Sequence, residues 1–478
     1  MSEARVLDDH STDRAPGLSP AFLLTAVAAC MVAVDNLVVV TALPVIRREF
    51  HADIEGLQWI VSAYTLTYAV FQLSSAALGD RFGRRPAFVA GLVLFVGASA
   101  GAALAPGIWF LVAARALQGL GASMVSPLAL TIVAHATPRL RRAAVRGVWS
   151  GISGIGSAVG PLIGGVTVTY APWQWIFLVN LPIGLVLIPA AWLRLADSRG
   201  PSGKLDVPAV ALSSTGLLAI LFALINGNGY GWSHPAVTGG FVVGALLLVG
   251  FVAWELRAPY PMLPLWLLRG GGFAGSICLY LLMTFGLFGM LFLCTQYFQT
   301  NLGYSPLQAG VGMLPAAVMP VAVAPLTGAL SRRLGGYGVL AAALALQAAG
   351  LAWLSLVATP QASYPRLVPA MLLIGVAAGL FFGQISRVIL GSVPQRYEGI
   401  ASGTGTTFRQ LGTTLGVATL GAVFAAAGGY TDPARFSHGF SVALRVGALV
   451  AVAAALLALR LRRSAPHLHD SGAIDQGM

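Results

Sequence analysis

Long apolar runs alternate with short polar breaks along almost the whole chain. The runs lie near 21–44, 57–78, 86–106, 108–134, 144–169, 174–193, 207–226, 236–254, 272–298, 306–329, 337–357, 366–390, 398–427 and 438–460. Each reaches the length of about 20 residues that a helix needs to cross a bilayer. The pattern predicts an all-α polytopic membrane protein with fourteen transmembrane helices and no soluble domain between the spans. A polar start of twenty residues holds four acids and two arginines. It lacks the basic start of a cleavable signal, and the first apolar run is too long for one.

Composition agrees: 57% of residues are apolar and 9% are charged, against about 25% charged in soluble domains. The net charge of +12 invites a nucleic-acid reading, which its distribution rejects. With the N-terminus placed in the cytoplasm, 21 of the 28 Lys and Arg fall on that side and four, Arg47, Arg48, Arg366 and Arg435, on the other. Arg115, Arg409 and Arg445 fall within spans. This is the positive-inside bias; it predicts cytoplasmic termini and an even number of spans. Cys30, Cys278 and Cys294 all lie in apolar spans, so no disulfide framework is expected. The histidines are scattered, and no metal site is expected.

Two distant segments repeat with one offset. Leu78, Arg81 and Gly83 recur 252 positions later as Leu330, Arg333 and Gly335. Gly147, Ser150, Gly151, Gly160 and Gly164 recur with the same spacing as Gly399, Ser402, Gly403, Gly412 and Gly416. The shared register indicates two homologous six-span halves, residues 21–200 and 259–463. An insertion of two spans, 201–258, separates them, and polar tails cover 1–20 and 464–478. Six spans is an even number, so the halves share one orientation. Parallel halves with a substrate site between them at the midplane are one architecture of secondary transporters.

The chemistry centres on Asp35. It is the acidic side chain placed deep inside an apolar run, whereas the other fifteen carboxylates fall in tails, loops or span ends. A charge at a helix centre costs about 2.5–3.5 kcal/mol on insertion scales, which marks it as a functional candidate. Burial favours the neutral form of a carboxylate and makes it a proton acceptor and donor; the alternative is a hydrogen bond that holds a neighbouring helix. Arg115, in Arg115-Ala-Leu-Gln118-Gly119-Leu-Gly121, needs a partner or a wet cavity. A moving Arg115 would switch the proton affinity of Asp35. In the turn Asp80-Arg81-Phe82-Gly83-Arg84-Arg85, Gly83 permits a tight reversal. Asp80 can form ion pairs there in one conformational state; its repeat position is Arg332. Span 5 carries Gly147, Gly151, Gly156, Gly160 and Gly164 with Pro161. Small residues four apart let helices approach closely, and the proline bends the helix. Arg409 is a second intramembrane arginine, and Arg445 lies nearer a span end, where it can snorkel. No Walker loop, HExxH or GxSxG is present, so ATP and hydrolytic chemistry are not expected.

These residues resemble the major facilitator superfamily over essentially the whole chain. The Asp80–Arg85 turn is similar to its loop 2–3 signature, with Ala76 in place of the leading glycine. Arg115–Gly121 is similar to its span 4 signature. Gly156–Gly165 is similar to the span 5 motif of antiporters. Fourteen spans narrow the resemblance to the fourteen-span drug:proton antiporters, and in particular to actinobacterial antibiotic exporters of the methylenomycin-resistance type. Gln58-Trp59 with Tyr64, Trp175–Gly184, and Tyr297-Phe-Gln299 with Gly303–Gly310 add to it. In span 1, Asp35 and Ala42-Leu43-Pro44 match, but Leu37 and Val40 stand where the family has threonine and asparagine. Asn36 is a neighbouring polar residue on another face.

The resemblance implies two six-helix halves plus two inserted helices, with no cofactor and no enzyme activity. It implies export of a small-molecule drug, an antibiotic, driven by the proton gradient through alternating access. Protons and the lipid bilayer are the expected partners, nucleic acid is not, and a monomer in the plasma membrane is expected. Asp35 and Arg115 would couple protons. Asp80, Arg81, Gly83, Arg84, Gly160, Pro161 and Gly164 would gate. Asn36, Trp59, Tyr64, Gln118, Asn180, Tyr297, Gln299 and Arg409 would line the substrate cavity. Span 10 holds no acid, which favours a neutral, weakly acidic or monocationic apolar substrate. A metabolite exporter or an importer of the same fold are the alternatives, and the span 5 motif speaks against import.

Overall fold

The computed structural model describes residues 20–136, 159–199, 206–259, 261, 263, 265–269, 271–394 and 397–464. Among these it is helical, with no strand. The helices are α1 (Pro20–Phe50), α2 (Ile54–Phe82), α3 (Arg84–Ala103), α4 (Ile108–Ala136) and α5 (Val159–Tyr170). There follow α6 (Trp175–Arg194), α7 (Val207–Tyr230), α8 (Pro235–Glu255) and α9 (Gly271–Asn301). The last are α10 (Pro306–Leu334), α11 (Gly336–Val357), α12 (Tyr364–Gly391), α13 (Glu398–Ala427) and α14 (Pro433–Ser464).

Twelve of these are long and apolar enough to cross a membrane, so the chain is a multi-pass membrane protein. The expectation of fourteen is met by that criterion for twelve. Helix α2 has the length, but Gln58, Ser62, Thr65, Thr67 and Gln72 make it too polar. Of the run at 144–169, residues 159 onward are described; Gly147, Gly151 and Gly156 lie outside the described residues.

The 252-residue offset reappears as structure. Helix α2 maps onto α10 end for end, and both close on a glycine with positive φ: Gly83 at 105° and Gly335 at 75°. A side chain in that left-handed region would be strained. Helix α10 is broken, with a 3-10 turn at Ala324–Leu326, because Pro315, Pro320 and Pro325 remove backbone donors. Glycines set the close crossings in both halves. A Cβ at Gly160 would stand 2.9 Å from Leu37 of α1, and one at Gly164 would overlap Thr41 of α1. Their repeats do the same on α9: Gly412 against Leu281 and Thr284, Gly416 against Phe285. Thus α5 rests on α1 as α13 rests on α9, through small residues that let backbones touch.

Helices α7 and α8 form an antiparallel hairpin outside the two halves. Asp206 caps α7, accepting from Ala209 N at 3.0 Å, and also accepts from Trp254 Nε1 of α8 at 2.8 Å. Helix α7 packs on both α2 and α13 and so covers the seam between the halves, whereas α8 has little contact beyond α7.

Candidate functional site

Five helices of the first half converge on Asp35, which is 1% exposed. Arg115 Nη1 of α4 donates to Asp35 Oδ2 at 2.5 Å. Asp35 Oδ1 accepts from Gln118 Nε2 at 3.2 Å and from Asn180 Nδ2 of α6 at 2.9 Å. Both amides also donate to Ser99 Oγ of α3, at 2.7 and 3.3 Å. Ser99 in turn donates to the Phe95 carbonyl at 2.8 Å. Arg115 is completed by Gln118 Oε1 at 3.0 Å, the Ile60 carbonyl at 3.4 Å and the face of Tyr64, 4.2 Å from its guanidinium carbon. The pair is neutral as a whole, and its charge-assisted bond is of the strong kind. Removing either member strands the other, at a cost of about 3–5 kcal/mol.

Asp35 and Arg115, eighty residues apart, are therefore brought together, with Gln118 and Asn180 as direct partners of the carboxylate. Asn36 is half-buried on another face and takes no part in this network. Ser99 was not singled out by sequence reasoning, although it joins both amides; its signal is one hydroxyl in the apolar run Gly97-Ala-Ser99-Ala. Leu37 faces Gly160 of α5 and fills that contact. The glycine crossing thus grips the turn of α1 that carries Asp35.

The remaining candidates are scattered. Tyr297 is fully buried inside the second half, stacked on Phe440 at 4.8 Å and donating to the Thr359 carbonyl at 2.6 Å. It belongs to that core and not to a cavity wall. Trp59 faces the inserted hairpin, where it lines an apolar groove of about 450 Å³ with Phe222, Gly239, Gly240 and Val243. Gln299 Nε2 donates across the halves to the Thr41 carbonyl at 2.9 Å. Arg409 is half-buried at mid-helix on α13. Arg445 is exposed.

At the end of the bundle where α1 begins and α14 ends, Arg84 Nη2 and Nε meet Asp80 Oδ1 at 2.9 and 3.0 Å. Arg81 is exposed beside Phe82. The turn is tied to α6 and to the segment that follows it: Arg85 lies over Trp192, and Arg84 N donates to the Ser198 carbonyl at 2.9 Å. A Cβ at Gly83 would come within 2.9 Å of both Asp197 carboxylate oxygens. These contacts stay within the first half.

At the opposite end the two halves meet directly. A Cβ at Gly165 would stand 2.7 Å from the Pro306 carbonyl, and one at Gly310 2.6 Å from the Pro161 carbonyl. Leu307 N donates to Thr169 Oγ1 at 3.0 Å. Arg47 lies 3.7 Å over Tyr430, whose hydroxyl bonds to Gln296. Along α2 and α13, Gln58 Nε2 donates to the Ala418 carbonyl at 2.9 Å. Thr65 and Thr414 meet at 2.7 Å, and Gln72 Nε2 reaches Thr406 Oγ1 at 2.7 Å. The glycines and Pro161 of α5 thus seal one end against both α1 and α10.

The helices form two repeated halves with a buried ion pair inside the first, and residues 25–417 match the Major Facilitator Superfamily. The chain belongs to that superfamily. Its members are transporters, not enzymes. Similar major facilitator proteins include the tetracenomycin C resistance and export protein of Streptomyces glaucescens, 32% identical over 88% of this chain and 78% of that protein. The methylenomycin A resistance protein of Bacillus subtilis is 31% identical over 92% and 93%. The puromycin resistance protein of Streptomyces alboniger is 34% identical over 90% and 88%. Solved structures share the fold at low identity. A POT family transporter in complex with a thioalcohol-conjugated peptide matches with a TM-score of 0.69 at 14% identity, covering 93% of this chain and 96% of that one. The xylose transporter of E. coli, partially occluded and inward-open, matches with a TM-score of 0.63 at 14% identity, covering 92% and 97%.

Proposed function

We propose that this protein exports a small amphipathic toxic compound, an antibiotic, in exchange for protons by alternating access. The observation that carries the proposal is the buried Asp35–Arg115 pair inside a first half whose α5 glycines grip the same turn of α1. The export and resistance proteins among its relatives support the direction and the substrate class.

In the proposed cycle the end that holds the termini faces the cytoplasm, as the 21-to-4 charge distribution supports. All fourteen helices cross the plasma membrane, α2 and α5 included, and the protein acts as a monomer without cofactor. The halves are 21–200 and 259–463, with 201–258 inserted between them and tails at 1–20 and 464–478. The contacts at Gly165, Gly310 and Tyr430 then close the outer side. With Asp35 ionised and held by Arg115, substrate enters from the cytoplasm between the halves. Rocking breaks the outer seal. Asp35 takes a proton from outside and releases Arg115, substrate leaves, and the proton is delivered inward on return. One charge crossing 100 mV supplies ~2.3 kcal/mol, which at ~1.4 kcal/mol per tenfold supports roughly a fiftyfold gradient.

The test is proton release from acid-loaded everted vesicles on addition of puromycin, methylenomycin A or tetracenomycin C. The wild type should release protons with at least one of them, and Asp35→Asn with none. Equal release in both would remove Asp35 from the coupling path.

A further inference from the structure

Asp35 and Arg115 neutralise each other, but Arg409 has no such partner. It is half-buried at mid-helix, and among the described residues no carboxylate pairs with it. Its depth is fixed on both sides by the cross-half bonds at Thr406 and Thr414, and its own carbonyl accepts from Thr284 Oγ1 of α9 at 3.0 Å. It therefore sits where α2, α9 and α13 meet. On α2, Tyr68 lies between Thr65 and Gln72, the residues bonded to Thr414 and Thr406 of α13. A Cβ at Gly405, one turn earlier on α13, would touch the Tyr280 ring at 3.9 Å. Tyr280 is flanked by Phe381 and Phe382, with ring centres 5.9 and 6.1 Å away, and Tyr64 stands edge-on to Tyr68 at 6.1 Å. Beside Arg409, Gln410 is fully buried with neither amide atom bonded, and Thr407 Oγ1 is buried without a partner as well.

This is an aromatic-walled cluster between the halves with one uncompensated positive charge and spare polar groups. An intramembrane cation persists only beside a partner or water, and such residues mark substrate paths. Unbonded buried polar groups are sites that a ligand or water completes. A cationic substrate would meet like charge there, which is costly. We infer that Arg409 anchors the anionic group, a carboxylate or an ionised phenol, of an aromatic substrate whose rings lie between Tyr68 on one side and Tyr280 on the other. The inference rests on the export reading and narrows it to organic anions. It also means that each cycle moves two charges down the membrane potential, the anion outward and the proton inward.

The experiment is equilibrium dialysis of the purified full-length protein with 2-naphthoate and with its neutral methyl ester. A charge-assisted bond is worth tenfold or more in affinity. The wild type should bind the carboxylate at least about tenfold more tightly than the ester. Arg409→Gln should abolish that preference while leaving ester binding in place, and Arg409→Lys should retain most of it. Asp35→Asn should keep the preference. Lack of preference in the wild type, binding of neither probe, or a preference that survives Arg409→Gln would overturn the inference. If Arg409→Gln does not fold, Arg409→Met is read in its place, and a preference that survives it serves as the same refutation. A preserved anion preference without any proton release in vesicles would sink the proton-exchange reading alone.

Discussion

Neutralising Asp35 alone and neutralising it together with Arg115 should have opposite consequences for stability. In Asp35→Asn the new amide oxygen still accepts from Gln118 and Asn180, but the Arg115 charge loses its counter-ion in a site 1% exposed. Stranding one member of a buried pair costs about 3–5 kcal/mol. Arg115 keeps the Ile60 carbonyl, Gln118 Oε1 and the Tyr64 face, so the low end, about 3 kcal/mol, is expected. That is roughly two decades in the folded ratio. Arg115→Gln should cost a similar amount. The double variant leaves a neutral amide network and should cost only about 1 kcal/mol, giving a coupling energy of about 5 kcal/mol in a double-mutant cycle. The assay is thermal and denaturant unfolding of the four purified proteins, beside pH-gradient-driven efflux in vesicles. The double variant should be well folded yet inactive in proton-driven export. Additive losses in the cycle would refute the pairing, and wild-type export by the double variant would refute its role in coupling.

Gly165→Leu and Gly310→Leu each place a side chain where a Cβ already stands 2.6–2.7 Å from a carbonyl of the opposite half. Either should prevent closure of the outer end and abolish export while the protein still inserts in the membrane. Tyr430→Leu removes a cation–π contact with Arg47 worth about 0.5–2 kcal/mol. It should raise outside labelling of a Thr41→Cys reporter, buried in the seal, by roughly 2–30-fold. Glu55, in the first turn of α2 ahead of its apolar run, has its carboxyl raised above the ordinary value by burial and by Asp53 beside it, against a bond from the Gly229 backbone. A carboxyl raised on folding favours the protonated fold, so stability falls as pH rises from about 4.3 through the raised value. Glu55→Gln should therefore unfold at a higher temperature than wild type at pH 8, with the difference closing as pH falls toward 4.

Much of the architecture could be read along the chain because bilayer length and apolar runs are one-dimensional quantities. The 252-residue offset was legible for the same reason: it recurs in the helix ends and in the paired glycines at 160, 164, 412 and 416. What the sequence could not convey is helix rotation. Gln58 and Trp59 are neighbours in sequence, yet Gln58 reaches α13 while Trp59 faces the inserted hairpin, because successive residues on a helix point about 100° apart. Tyr297 carries a motif-like neighbourhood but turns into the core of its own half. Ser99 was illegible as a lone hydroxyl, since a serine on an apolar helix usually bonds its own backbone, as Ser99 also does. The meeting of Asp35 with Arg115 depends on how α1 and α4 cross, which their separate patterns do not encode.

The duplication also explains why the chemistry is divided between the halves. Both carry the same scaffold, with α5 on α1 and α13 on α9 held by equivalent glycines, but the position equivalent to Asp35 is Leu287, in the apolar core. A proton can therefore be held at a carboxylate in the first half, while the uncompensated cation stands in the second. Coupling between them has to cross the seam of α2 and α13. Tyr64, next to the Thr65–Thr414 bond of that seam, has its face against Arg115. When Asp35 takes a proton, Arg115 loses its counter-charge, and its interaction with the Tyr64 ring is one of those left to hold it. In the proposed cycle release of substrate comes from the separation of the halves, which withdraws Tyr68 from Tyr280 and opens the site to water. On the proposed cycle, proton binding at Asp35 and substrate release are linked through the rocking motion, and not by direct competition for one carboxylate.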